Sequence, residues 1–175
     1  MPNKKWLSHI KQIRVLSCVG CTDCKLALHE SNGHIEKSVE FLRKKGTAKS
    51  SKKMSRTASE GLAFVNEKEW EVSIIEINSE TDFVAKNKDF ISFCKEISDI
   101  NFLAKGDLEK INESKMKNNS LVKDSLVNLI AKIGEKITIR RADFFDKKDG
   151  NNFFYVHSSI EKNIGKIISA VQLDG

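Results

Sequence analysis

The first 45 residues contain three short segments in which apolar side chains recur every three or four positions. In the first segment Trp6, Ile10 and Ile13 line one face of a helix, and lysine, glutamine and arginine occupy the opposite side. Gly33 lies in a Ser-Asn-Gly turn, and Gly46 is placed to end the third segment. The pattern predicts a compact bundle of three helices, spanning residues 5–17, 24–30 and 35–45.

After residue 60 the pattern changes to short strand-like runs and longer amphipathic segments. Two apolar strand-like runs separated by Asn-Glu-Lys-Glu predict a β-hairpin. Phe83, Phe90, Cys94 and Ile97 then recur at helical spacing, whereas the polar residues 99–119 predict a loop or a poorly ordered excursion. Strands are predicted over residues 62–65, 70–77, 136–145, 153–158 and 166–173, and helices over residues 81–97 and 121–133. The pattern predicts an α+β protein, with a small three-helix N-terminal module followed by a core of antiparallel sheet and helices.

Residues 47–61 separate these two regions and contain almost no large apolar side chain. Their serines and lysines are typical of a linker, either irregular or partly helical. The predicted organisation is therefore a helical module over residues 1–46, a basic linker over residues 47–61, and a core that begins at residue 62.

Composition places the 175-residue chain among ordered globular proteins, because 39% of its residues are hydrophobic and 31% are charged. No apolar run approaches the roughly 18–20 residues that a membrane helix needs, and the N-terminus lacks the apolar region of a secretory signal. Three of the four cysteines lie within Cys18–Cys24, which does not resemble the disulfide framework of a secreted protein. We therefore expect a cytoplasmic protein with no membrane partner.

Positive charge is concentrated in the N-terminal third of the chain. Residues 1–60 contain 13 Lys and Arg against 5 Asp and Glu, the remainder contains 17 against 19, and the whole chain carries +6. A basic region can bind nucleic acid through phosphate contacts, or it can speed docking onto an acidic protein surface. Charge alone supports both interpretations.

A group of cysteines and histidines raises the question of a metal site. Cys18, Cys21, Cys24, His29 and His34 follow one another at spacings that can close a zinc tetrahedron. Zinc ligands usually lie on turns around the metal, whereas these residues fall on or beside helices that already have an apolar core pattern. We therefore expect free thiols and no bound metal.

No set of residues for covalent chemistry is visible. The four histidines lie in different predicted elements, and the chain has no glycine-rich phosphate loop. A protein without a nucleotide site can still control nucleotide binding by acting on the protein that has one. The sequence therefore favours a binding protein without a cofactor over an enzyme.

The segment Ser79–Asn87 lies where the second predicted strand ends and the next helix begins. At such a junction the side-chain oxygen of Thr81 or Asp82 can accept the unpaired N–H groups of the first helical turn. One interpretation is therefore that Asp82 only caps the helix and that Phe83 is its first core residue. The other interpretation comes from a resemblance.

Several motifs resemble the elongation factor Ts family, whose members exchange the nucleotide on elongation factor Tu. Thr-Asp-Phe-Val-Ala-Lys-Asn at Thr81–Asn87 follows an isoleucine-rich strand, as in the family signature. The segment Val19–Gly46 is similar to the family's ubiquitin-associated-type N-terminal module, and Ala131–Arg141 is similar to its Ile-Gly-Glu and Ile-Arg-Arg motif. Tyr155–Lys166 resembles the segment that opens the family's second core half. The implied core subdomains are residues 62–158 and, as the partial start of a second one, residues 159–175.

The resemblance implies a guanine nucleotide exchange factor for elongation factor Tu. In the family, the residues that match Asp82 and Phe83 stand at the tip of the central helix. The aromatic ring enters the GTPase domain of the partner and dislodges the Mg²⁺ that holds the GDP phosphates. The implied partner-binding residues are Thr81, Asp82, Phe83 and Val84, with secondary contacts at Lys25, Ile133, Gly134 and His157.

Two further expectations concern partners. The rival function is a basic RNA-binding or adaptor module that uses the first 60 residues and lacks exchange activity, whereas the resemblance implies no direct contact with nucleic acid. If the chain ends at Gly175, the apolar strand over residues 166–173 lacks part of its usual neighbourhood. An open strand edge can recruit another strand. We therefore expect a weak homodimer across this edge.

Overall fold

The computed structural model describes residues 4–17, 19–53 and 55–174. The chain divides into two compact units, which we call the helical unit and the sheet unit. The helical unit comprises the described residues up to Ser55 together with Val127–Gly134. The sheet unit comprises Arg56–Leu126 and the described residues from Glu135 onward. No helix in the described part of the chain is long and apolar enough to cross a membrane.

The helical unit contains three N-terminal helices packed around one apolar cluster. They are α1 (Lys4–Ser17), α2 (Cys21–Glu30) and α3 (Ile35–Lys53). The buried members of the cluster are Ile10, Ile13, Cys24, Ala27, Leu28 and Leu42. The three predicted helices are therefore confirmed. The apolar residues whose spacing predicted them are the residues that pack in this cluster.

Helix α3 does not end at Gly46, as the sequence suggested, but continues to Lys53. A glycine inside a helix is about 1 kcal/mol less favourable than alanine, and a helix that has already nucleated can tolerate this cost. A methyl group at Gly46 would lie 3.5 Å from Cβ of Ala131, so the glycine stands close to another segment of the helical unit. The first part of the predicted linker is consequently helical.

The sheet unit contains one antiparallel sheet of five strands. The strands are β1 (Glu60–Lys68), β2 (Glu71–Ser79), β3 (Ile137–Phe145), β4 (Asn151–Glu161) and β5 (Ile164–Leu173). Their order across the sheet is β3-β2-β1-β5-β4, and each neighbouring pair is antiparallel. Each predicted strand is present, and together with the helices the sheet confirms the α+β class.

The remaining helices are α4 (Asp82–Ala85), α5 (Lys88–Ala104), α6 (Leu108–Glu113) and α7 (Val122–Ile133). Helix α5 contacts both β1 and β2, and this contact forms the main core of the sheet unit. Phe90 and Ile97 of α5 are fully buried, as are Ile75 and Ile77 of β2. The sheet and α5 therefore form a firm base for the segment that joins them.

The prediction of one continuous helix over residues 81–97 is wrong. The short helix α4 ends at Ala85, and α5 begins at Lys88. Between them, Asn87 Oδ1 accepts the N–H of Asp89 at 2.8 Å and that of Phe90 at 3.4 Å. This cap starts a second helix, because it satisfies N–H groups that have no partner within the helix.

The prediction of a loop over residues 99–119 is also wrong. Helix α5 continues to Ala104 and ends at Lys105, which adopts the left-handed conformation with φ 53°. Helix α6 follows, and Asp107 caps it by accepting the N–H groups of Glu109 and Lys110 at 3.0 and 3.1 Å. A helix of six residues is too short to show apolar periodicity, so only the tertiary contacts of its buried Ile111 reveal it.

Strand β5 lies inside the sheet rather than at its edge. It pairs with β4 along most of its length but with β1 only at Ala63↔Gly165 and Phe64↔Ile164. The hairpin of β4 and β5 then diverges from β1. A groove of about 380 Å³ opens there, lined by residues of β1, β2, β3 and β5, and Ile168 contributes to its wall. One side of residues 166–173 is therefore without a pairing strand among the described residues.

Candidate functional site

The segment Thr81–Val84 forms a tip where β2 leaves the sheet and α4 begins. Phe83 is 77% exposed, whereas the next two residues, Val84 and Ala85, are 5% and 3% exposed. The two buried side chains hold α4 against the sheet unit, and Phe83 points away into solvent. The interpretation of Phe83 as the first core residue of the helix is therefore wrong. Val84 anchors α4, and almost none of its own side chain is accessible.

Asp82 does not cap a helix. No side-chain bond caps α4, whose N-cap residue is Thr81. The Asp82 carboxylate instead lies 2.9 Å from Lys86 Nζ, one turn along, and both side chains are accessible. The hydrogen bond from Lys86 holds the pKa of Asp82 below its usual value, and the positive charges of Lys86 and Lys166 add to this effect. The tip therefore presents a carboxylate beside an aromatic ring.

Thr81 is held by a carboxylate from a distant part of the chain. Its N–H donates to Glu135 Oε2 at 3.0 Å, and its hydroxyl donates to Glu135 Oε1 at 2.9 Å. The carbonyl of Thr81 accepts a bond from Ser79 Oγ at 2.9 Å. Both the backbone and the side chain of Thr81 are thus fixed immediately before α4.

A second carboxylate makes the reciprocal contact. Glu80 Oε1 accepts the N–H of Lys136 at 2.5 Å. Nη1 of Arg56 lies 3.3 Å from Oε2 of the same carboxylate. Sequence reasoning did not single out Glu80 or Glu135, although both lie inside or beside the motifs that carried the resemblance. Their partners are 56 and 54 residues away along the chain, so no local spacing could have paired them.

His157 lies on β4, on an exposed face of the β4–β5 hairpin. Its ring centroid is 6.2 Å from that of Tyr155. Five other large side chains of this hairpin are about half to two-thirds exposed, namely Phe153, Tyr155, Ile167, Val171 and Leu173. A contiguous apolar face of this kind is typical of a protein-binding surface.

The other predicted contact residues lie in the helical unit. Lys25 is exposed on α2. Ile133 is the last residue of α7, and Gly134 follows it in the left-handed region with φ 91°. Gly134 N–H donates to the carbonyl of Ile130 at 2.9 Å, which confirms that this glycine ends the helix. Thr81–Val84 and His157 belong to the sheet unit.

The cysteines do not form a metal centre in the described part of the chain. Cys24 is fully buried in the helical cluster, where burial raises the pKa of its thiol. Cys21 is exposed with a free thiol, and Cys18 lies outside the described residues. Among the described residues, no group of three His, Cys, Asp or Glu side chains is placed to hold a metal ion.

The chain is similar to known proteins. The family described as Elongation factor TS matches residues 80–175, which include the tip and the Glu135 contact. The elongation factor Ts of Rickettsia felis is 39% identical over 94% of this chain and 53% of its own length. Those of Malacoplasma penetrans and Methylorubrum populi are 40% and 41% identical, over 95% and 94% of this chain and 55% and 54% of their lengths. The chain thus spans about half the length of these relatives. Because the family match covers more than half of the chain, the chain belongs to the elongation factor Ts family.

Proposed function

We propose that this chain is a guanine nucleotide exchange factor for elongation factor Tu and acts in translation elongation in the cytoplasm. The observation that carries the proposal is the 77% exposure of Phe83, on a four-residue helix inside the matched family segment. An aromatic ring kept in solvent beside a carboxylate is suited to fill a pocket on another protein. No covalent step is needed.

The proposed mechanism is thermodynamic linkage. A protein that binds the nucleotide-free GTPase more tightly than the GDP-bound form must weaken GDP binding by the same factor. We propose that the Phe83 ring enters the GTPase domain, with Asp82 beside it, and disturbs the Mg²⁺ that bridges the GDP phosphates. Release of the ion then weakens the hold on GDP.

Further contacts are proposed on both units. His157 and the apolar face around Tyr155 offer a second surface on the sheet unit. Lys25 and the α7 end at Ile133 and Gly134 are proposed contacts on the helical unit. These contacts add buried surface area to the proposed interface, and Phe83 is its central anchor.

The proposal is tested by the release of fluorescent GDP from elongation factor Tu. We expect micromolar concentrations of this chain to accelerate release, and we expect added GDP and Mg²⁺ to oppose formation of the complex. Unchanged release at these concentrations would contradict the proposal.

The rival function is supported by the charge of the N-terminal helix. Lys5, Lys11 and Arg14 of α1 are exposed, and no acidic residue lies in its first turn. An RNA-binding or adaptor module predicts RNA affinity that falls steeply with salt. Tight, salt-sensitive RNA binding without accelerated GDP release would favour this rival.

Asp82→Ala should lower the exchange rate more than Lys86→Ala does. The lysine change breaks the 2.9 Å ion pair but leaves the carboxylate beside Phe83. Because the folded-state pKa of Asp82 is lowered, its ion pair persists above the ordinary carboxyl pKa and is lost only as the pH falls through the lowered value. GDP release measured for both variants at neutral pH is the test, and equal losses would mean that only the ion pair matters.

We also propose weak self-association through the hydrogen-bonding edge of β5 that lies towards the groove. This side pairs with β1 only at Gly165 and Ile164, so it can accept a strand from a second copy. Sedimentation should show a dimer at high concentration. Ala170→Lys, which places an ammonium group in the groove wall, should restore the monomer. A monomer at all concentrations for the unchanged chain would contradict this proposal.

A further inference from the structure

Two carboxylates continue the β2–β3 ladder beyond its last backbone pair. That pair is Ser79↔Ile137. One position further, the N–H of Lys136 donates to the Glu80 side chain at 2.5 Å. Two positions further, the N–H of Thr81 donates to the Glu135 side chain at 3.0 Å. Each segment thus lends a carboxylate to the backbone of the other, and we call these two contacts the crossed clamp.

The Glu135 half of the clamp is the stronger constraint on the tip. Its carboxylate takes both donors of Thr81, the N–H and the hydroxyl, at 3.0 and 2.9 Å. Hydrogen bonds to a charged acceptor are stronger and better ordered than those between neutral groups. Thr81 is therefore held in its extended conformation, with φ −126° and ψ 158°, at the residue from which α4 departs.

Helix α4 needs such an external constraint. It has four residues, too few for a helix to be stable by itself, and its N-terminus has no side-chain cap. Val84 and Ala85 fix its inner side, but rotation about the junction at Thr81 would still move the Phe83 ring. A ring that enters a pocket binds more tightly when its direction is set beforehand.

We propose that Glu135 is a positioning residue for Phe83. By holding Thr81 it fixes the angle at which α4 presents the ring, and Glu80, steadied by Arg56 at 3.3 Å, holds the opposite segment in register. The proposal rests on the exchange function proposed above and adds a residue that acts only through the tip.

The first test measures GDP release from elongation factor Tu with Glu135→Ala and Glu135→Gln. Loss of the carboxylate should reduce the acceleration about tenfold, since misplacement by about 1 Å is enough to cause such losses. The glutamine variant should recover most of the rate, because its amide oxygen can accept the Thr81 N–H and its amide nitrogen can donate to the hydroxyl. A normal rate for Glu135→Ala would overturn the proposal.

A matched control separates positioning from general stability. Glu76 lies on the same strand pair, and its carboxylate binds Arg141 at 2.5 Å, away from the tip. Its side chain is partly buried, as is that of Glu135. Glu76→Ala should leave GDP release unchanged, and a loss equal to that of Glu135→Ala would overturn the positioning role.

A double variant distinguishes positioning of the ring from a general structural role of Glu135. Once Phe83→Ala has removed the ring, adding Glu135→Ala should reduce exchange far less than it does in the unchanged chain, because only Asp82 of the tip is left to position. Additive losses would overturn the proposal.

In NMR spectra the Thr81 amide proton should shift upfield in Glu135→Ala and recover in Glu135→Gln. An unchanged Thr81 resonance in Glu135→Ala would also overturn the proposal.

The two proposals fail in distinguishable ways. Normal exchange by Phe83→Ala would contradict the proposed function itself. Impaired exchange by Phe83→Ala together with normal exchange by Glu135→Ala would contradict only the positioning role.

Discussion

Phe83→Ala is expected to reduce the acceleration of GDP release by about 30-fold, the equivalent of about 2 kcal/mol lost from a binding hot spot. Thermal stability should change little, because a side chain that is 77% exposed loses few contacts when it is truncated. The expected result is thus a folded protein that has lost its activity. GDP release and the unfolding temperature, measured on the same preparation, provide the test.

The control for this prediction is Leu103→Ala. Leu103 is another large apolar side chain of the sheet unit, 82% exposed on α5. Its truncation should alter neither exchange nor stability, which would show that removal of exposed apolar area is not by itself harmful. If Phe83→Ala unfolds at a much lower temperature while its folded fraction exchanges normally, then Phe83 is a core residue and not an anchor.

Phe90→Ala is expected to have the opposite effect. Phe90 is the same residue type, seven positions along the chain, but its side chain is fully buried in the first turn of α5. Truncation of a buried phenylalanine lowers the free energy of unfolding by about 3–5 kcal/mol, because apolar contacts are lost and a cavity remains. Molecules that stay folded should still present Phe83 and accelerate GDP release.

Denaturant unfolding measures this loss, and exchange is assayed at a temperature at which the variant remains folded. Phe90→Leu serves as the control, since it refills part of the cavity and should be less destabilising than Phe90→Ala. A loss smaller than about 1 kcal/mol for Phe90→Ala would contradict the assigned core position, given the range for buried aromatics. Together, Phe83→Ala and Phe90→Ala separate the contribution of the surface from that of the core.

Apolar spacing alone was sufficient for most of the fold. The three N-terminal helices and the five strands follow from local periodicity, because each element needs one apolar side to bury. The errors lie where local periodicity is not the controlling factor. At residues 81–97, the side-chain cap of Asn87 overrides the apolar spacing and begins a second helix. In α6, too few residues are present for any period to appear.

The location of the candidate site was also predictable, since Thr81–Val84 lies in one continuous motif at the end of a strand. The sequence left two interpretations of Phe83 open, because a phenylalanine at helical spacing with Phe90 can be either buried or exposed. The tertiary structure decides between them. The break at Asn87 changes the helical phase, so that Phe90 enters the core and Phe83 remains in solvent.

The sequence by itself determined most of the helices and strands, the α+β class and the short segment Thr81–Asn87 on which the resemblance rests, since all of these depend on neighbouring residues. Only the tertiary structure decided how the tip is held. Glu135 and Thr81 are 54 residues apart along the chain, and they meet because β2 and β3 pair in the register that ends at Ser79↔Ile137. A contact of this kind depends on the register of two distant strands, so no local pattern of residue types contains it.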